Sequence, residues 1–130
     1  MSTKRIPDGH RTVTPYLIVE EADKFIDFLK HTFEAKEETE RFTSSDGVIQ
    51  HVEICVGDSI IELSEARERF PSMQSALHVF VEDTDSCYKR ALEAGATSLY
   101  EPQDMPYGER SGGVKDESGN HWYIATSLGS

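Results

Sequence analysis

Val19-Glu20-Glu21-Ala22-Asp23 recurs at equal spacing from its surroundings as Val81-Glu82-Asp83-Thr84-Asp85. Each copy follows a short apolar stretch, Tyr16-Leu17-Ile18 in the first and Val79-Phe80 in the second, and each precedes a helical pattern. Gly57-Asp58 and Gly119-Asn120 stand at the same offset as the two acidic runs. Self-similarity at a fixed period marks a duplicated structural unit. The chain therefore reads as two half-domains of roughly sixty residues each.

The first copy opens with Val13 to Val19, a β-branched and aromatic run with Pro15 near its start, which suits a strand. Ala22 to Phe33 follows the helical period, with Phe25, Phe28, Leu29 and Phe33 on one face. Glu37 to Thr43 reads as a weak, polar edge strand. Asp46-Gly47 is a hairpin signal. Val48 to Val56 is the next strand, with Val52, Ile54 and Val56 on one face and His51, Glu53 and Cys55 on the other. Gly57-Asp58 turns the chain again into a strand from Ser59 to Ser64.

The second copy repeats the order: strand Ala76 to Val81, helix Thr84 to Ala94, strand Thr97 to Tyr100, then two further strands ending at His121 to Ser127. Asp83 or Thr84 caps the helix and Gly95 ends it. Both copies read β-α-β-β-β. The expected division is a module over about 10–65, a charged linker over 66–74 carrying Pro71, and a second module over about 75–128, within a single domain. The stretch Glu101 to Gly113, with two prolines and three glycines, reads as a long loop.

Composition narrows the partners. Thirteen Lys and Arg against twenty-four Asp and Glu give a net charge of −11. Nucleic acid and anionic membranes need a basic footprint, so neither is expected as a partner. Cys55 and Cys87 sit in apolar surroundings and read as free, buried thiols of a cytoplasmic protein. The first ten residues lack the apolar run of a signal peptide. No Gly-x-Ser-x-Gly, phosphate-binding glycine loop or dinucleotide fingerprint is present.

Several segments resemble the short single-chain branch of the vicinal-oxygen-chelate superfamily, the fold of glyoxalase I and bleomycin-resistance proteins. They are Val13 to Val19, Asp46 to Glu53, Gly57-Asp58-Ser59, Pro106 to Arg110 and, most specifically, Gly113 to Asp116 with Gly119-Asn120-His121-Trp122-Tyr123-Ile124-Ala125-Thr126. The resemblance implies an α+β fold of two tandem βαβββ modules, curved mixed sheets around a cavity, and a homodimer. It also implies four metal positions, one on the first and last strand of each module, which map onto Thr14, Glu62, Ala76 and Tyr123. Only Glu62 among these is a usual ligand, and one carboxylate does not hold a divalent ion. No metal or other cofactor is therefore expected. A two-residue slip, which preserves the strand face, substitutes His78 and His121 and makes an alternative set with Glu62.

With that fold, Thr14, Tyr16, Glu62, His78, Phe80, His121 and Tyr123 point into the cavity, with Glu62 its one buried acid. Tyr107 and Arg110 are candidate loop contacts over it; Arg110 reads equally well as a surface ion-pair partner. Trp122 has the opposite parity and belongs under the helices. His51 and Glu53 form a separate strand-spaced pair, and His10 reads as a surface residue. The leading reading is a homodimeric small-molecule-binding protein for a hydrophobic, cationic ligand. The alternative is a divalent-metal-dependent lyase, isomerase or dioxygenase using His78, His121 and Glu62.

Overall fold

In the computed structural model, which describes residues 5–129, the first half runs β1 (Tyr16–Val19), α1 (Ala22–Phe33), β2 (Lys36–Glu37), β3 (Phe42–Thr43), β4 (Ile49–Val56) and β5 (Ser59–Glu65). The second half runs β6 (Ala76–Phe80), α2 (Thr84–Glu93), β7 (Thr97–Met105), β8 (Glu109–Lys115) and β9 (His121–Ser127). One sheet has the order β1-β5-β4-β2, with β3 also on β4; the other has the order β6-β9-β8-β7. In each, the first strand lies parallel to the last and the remaining pairs are antiparallel. The duplicated sequence has produced the same topology twice.

The helices start by different means. Asp83 accepts from the Ser86 N–H at 3.2 Å, an N-cap that satisfies one of the free donors of α2. At α1 the capping position is Glu21, in the left-handed region at φ 52°. Its helix is anchored instead by Glu65 at the end of β5, whose Oε2 accepts from Ala22 N at 3.2 Å and whose Oε1 accepts from Ile49 N at 3.2 Å. One carboxylate thus ties α1, β4 and β5 together. Gly95, at φ 103°, supplies the positive φ that closes α2.

The core lies between the helices and one face of each sheet. Phe25, Ile26, Phe28, Leu29 and Phe33 of α1 are buried against Leu17, Val19, Val52, Ile54 and Leu63 of the first sheet. Trp122 of β9 is fully buried and reaches the first module, its ring 5.1 Å from Phe33 and 6.3 Å from Phe25. Each such side chain contributes about 1.5–3 kcal/mol on leaving water. The indole N–H donates to Asp116 Oδ2 at 2.7 Å. Asp116 Oδ1 accepts from the backbone N–H groups of Ser118 and Asn120, closing the turn before β9. The parity that places Trp122 under the helices is as the sequence reads.

Four expectations need correction. The first strand begins at Tyr16, not Val13, because Pro15 offers no N–H to a ladder. The edge strand Glu37 to Thr43 is broken into β2 and β3. The segment Glu101 to Gly113 is not a long loop: β7 runs to Met105 and β8 starts at Glu109. Pro102 is accommodated where the ladder shifts register between Tyr100 and Gln103. Gly112 and Gly113 serve close packing there, since a Cβ on Gly112 would stand 3.0 Å from the Tyr88 ring and one on Gly113 would enter the Tyr100 ring. Both cysteines are free, but Cys55 is half-exposed rather than buried as expected. Cys87 is buried, and desolvation pushes its thiol up to about 11.

Candidate functional site

The alternation of strand side chains leaves each sheet with a second face, turned away from the shared core. Because the modules meet through α1, α2 and Trp122, these two open faces do not oppose each other within the chain. They carry different chemistry.

The open face of the second sheet is an aromatic floor. Tyr100, Gly113, Tyr123 and His78 form one row across β7, β8, β9 and β6. Gly113 leaves the space that the Tyr100 ring occupies, and Tyr100 and Tyr123 lie stacked with centroids 6.4 Å apart. The next row holds Ser111, Ala125 and Phe80. The Tyr100 and Ser111 hydroxyls are 2.7 Å apart. Phe80 is 66% exposed and lies 4.7 Å from the His78 ring. His78 Nε2 stands 2.8 Å from Glu109 Oε2, with the Glu109 side chain only 11% exposed. His121 meets the Tyr123 hydroxyl at 3.2 Å, and Ala76 lies beside it.

The open face of the first sheet is acidic. Register places Tyr16 beside Glu62 and Glu62 beside Glu53. His51 Nε2 is 3.6 Å from Glu53 Oε2 and 3.6 Å from Glu62 Oε1. The Tyr16 and His51 rings are 6.1 Å apart. His10 Nε2 lies 2.9 Å from Glu53 Oε1, with its side chain 9% exposed. The surface reading of His10 is therefore wrong: the segment before β1 folds back onto this face.

The remaining candidates are placed plainly. Arg110 faces the helix side, where Nε and Nη2 reach Asp85 Oδ1 and Oδ2 at 2.6 and 2.9 Å and Nη1 reaches Asp104 at 3.1 Å. These bonds raise its pKa further and lower that of Asp85. It is the surface ion-pair partner and does not close over a cavity. Tyr107 is exposed at the β7–β8 turn, and Thr14 precedes β1. Glu62 is only half-buried, so the buried acid of the open faces is Glu109.

Two groupings went unread in the sequence. Glu53 and Glu62 are equidistant from Gly57-Asp58, so counting outward from that turn places them side by side on one face. Glu109 lies at the start of β8, in the segment whose prolines and glycines read as a loop, and a loop reading carries no parity. A cleft of about 640 Å³ also lies between the modules, lined by the β4–β5 turn and by Leu77 to Asp83. It shares His78 and Phe80 with the aromatic face and none of the acidic cluster.

Residues 10–124 match the family model of the Glyoxalase/Bleomycin resistance protein/Dioxygenase superfamily. The chain belongs to this superfamily. Uncharacterised proteins of Mycobacterium bovis and Mycobacterium tuberculosis are 30% identical over 123 residues, covering 86% of this chain and 80% and 72% of theirs. TioX from Micromonospora sp. ML1 superposes with a TM-score of 0.75 at 24% identity, over 91% of this chain and 99% of that one. The fosfomycin resistance protein FosX from Mesorhizobium loti gives 0.65 at 15% identity, over 90% and 92%. These structures share the fold.

Divalent metals are common in the superfamily, held at four inherited positions. The resemblance puts them at Thr14, Glu62, Ala76 and Tyr123, but the register pairs Glu62 with Tyr16 and Tyr123 with His78, so the two first-strand positions move to Tyr16 and His78. That is one carboxylate, one imidazole engaged by Glu109 and two phenols. The donor set does not fit a metal of the inherited kind. Nor does Glu62 meet His78 and His121 within the chain; among the described residues its close partners are His51 and Glu53.

Proposed function

We propose that this protein binds a small molecule in a cavity completed by a second copy of the chain. The acidic face of one protomer would lie opposite the aromatic face of its partner. The observation that carries this reading is the pair of open faces, polar and aromatic, both turned away from the core. Tyr16 is 46% exposed and Phe80 66% in the single chain. Apolar side chains grouped on an open surface are the usual mark of an interface or ligand groove.

In this reading Thr14, Tyr16 and Glu62 form one wall, and His78, Phe80, His121 and Tyr123 the other, with Tyr107 at the rim. A planar apolar body stacks on Phe80 and on the Tyr100–Tyr123 pair. Glu53 and Glu62 select a cationic group in the metal-free protein, as charge complementarity requires. One observation favours a catalytic role beside binding: Glu109 holds His78 as a carboxylate holds a general base.

The test is light scattering together with calorimetric titration of hydrophobic cations into metal-free protein. The expected result is twice the chain mass and saturable binding, weakened about tenfold by Glu62→Gln, the loss of one charged contact. A monomer at micromolar concentration that binds no such cation would overturn the reading.

A further inference from the structure

We propose that His51, Glu53 and Glu62 form a divalent-cation site that shares only Glu62 with the positions the superfamily uses, with His10 holding Glu53 in place. The inference goes beyond the organic-ligand reading and does not depend on it.

The geometry comes first. A tetrahedral zinc with donors at about 2.1 Å sets neighbouring donors about 3.4 Å apart. His51 Nε2 stands 3.6 Å from both Glu53 Oε2 and Glu62 Oε1, and one donor atom from each residue lies within 4.8 Å of the others. Two edges of the tetrahedron are therefore present before any ion enters. The ligands come from adjacent strands β4 and β5, so the backbone ladder fixes their spacing. Glu53 divides its oxygens: Oε2 faces the cluster while Oε1 is 2.9 Å from His10 Nε2. A ligating carboxylate gripped on its other oxygen is the usual outer-shell arrangement.

The charge balance points the same way. Glu53 and Glu62 stand directly opposite each other across an antiparallel pair, where like charges repel. Among the described residues no Lys or Arg pairs with either; their charged neighbours are histidines. A divalent cation would neutralise both carboxylates. One imidazole and two carboxylates suit a first-row divalent ion such as zinc, and three protein ligands leave a fourth position open toward the face.

The experiment loads tag-free full-length protein with Zn(II) or Co(II), removes the excess, and measures metal per chain by mass spectrometry and affinity by calorimetry. The expected result is one metal per chain with a tetrahedral Co(II) absorption band. Affinity should fall about 100-fold in His51→Ala, Glu53→Gln and Glu62→Gln, and less in His10→Ala, within the range for outer-shell residues. His31→Ala, on the outer face of α1, should leave it unchanged and controls for stray imidazole binding. Circular dichroism verifies folding, and Glu53→Gln, nearly isosteric, keeps the test sound if His51→Ala unfolds. No retained metal, undiminished retention in Glu53→Gln, or loss on His78→Ala would each overturn the proposal. Zinc should also compete with a hydrophobic cation for the two carboxylates. Cation binding to metal-free protein without zinc uptake would refute the metal site and leave the organic-ligand reading standing.

Discussion

Asp116→Ala tests how the two modules are held together. Asp116 is buried and accepts three hydrogen bonds, from the Trp122 indole at 2.7 Å, Ser118 N at 2.8 Å and Asn120 N at 3.0 Å. The indole and Asn120 are fully buried, so water cannot replace the acceptor there, whereas Ser118 is half-exposed. An orphaned buried donor costs about 1–3 kcal/mol, so the sum for Ala is about 4 kcal/mol. Asp116→Asn separates the contributions. Both backbone donors use Oδ1, which Asn retains, while its amide N–H₂ would face the indole N–H, donor to donor. The expected cost is about 2 kcal/mol. In a Trp122→Phe background no indole N–H remains, and the Asn penalty should shrink to about 0.5 kcal/mol. Urea unfolding at neutral pH, with an unchanged m-value, measures wild type and the four variants. An Ala variant losing under 1 kcal/mol, or an Asn penalty undiminished by Trp122→Phe, would refute the reasoning.

Three other outcomes are expected. Bonds from Arg41 and then Lys30 lower Glu37 from the ordinary 4.5 to about 2. Its stabilisation is therefore present above pH 4.5 and lost as pH falls toward 2, and wild type should lose about 1 kcal/mol more than Glu37→Gln across that window in acid titrations, the value being reduced for screening. Ellman's reagent at pH 8 should count one reactive thiol in the folded protein, Cys55, because Cys87 is buried and its thiol is pushed up to about 11; two would contradict its burial. Gly113→Ala should cost about 2 kcal/mol by thermal melt, with partial recovery in Tyr100→Ala, because the new methyl must displace that ring.

The fold was legible because duplication wrote the same pattern twice, and because each strand's alternation and the helical spacing of Phe25, Phe28, Leu29 and Phe33 match their elements. The reading failed where backbone geometry overrode residue type. Pro102 and the Gly112-Gly113 pair look like loop residues, yet a register shift and two overlying rings make them strand residues. The site was half legible. Tyr16, Glu62, His78 and Tyr123 were named from parity, but which of them share a face depends on how the two sheets are turned. A local period carries no such information. His10 could not be placed because nothing in the segment before β1 encodes its return to Glu53.

The core occupies the helix side of each sheet, so the open faces bear little of the cost of folding. A lineage can therefore exchange Tyr16, His51, Glu62 or Phe80 while the frame endures, and each sheet can drift separately from its twin. Duplication gave one surface that became acidic and another that became aromatic, on a scaffold indifferent to either choice.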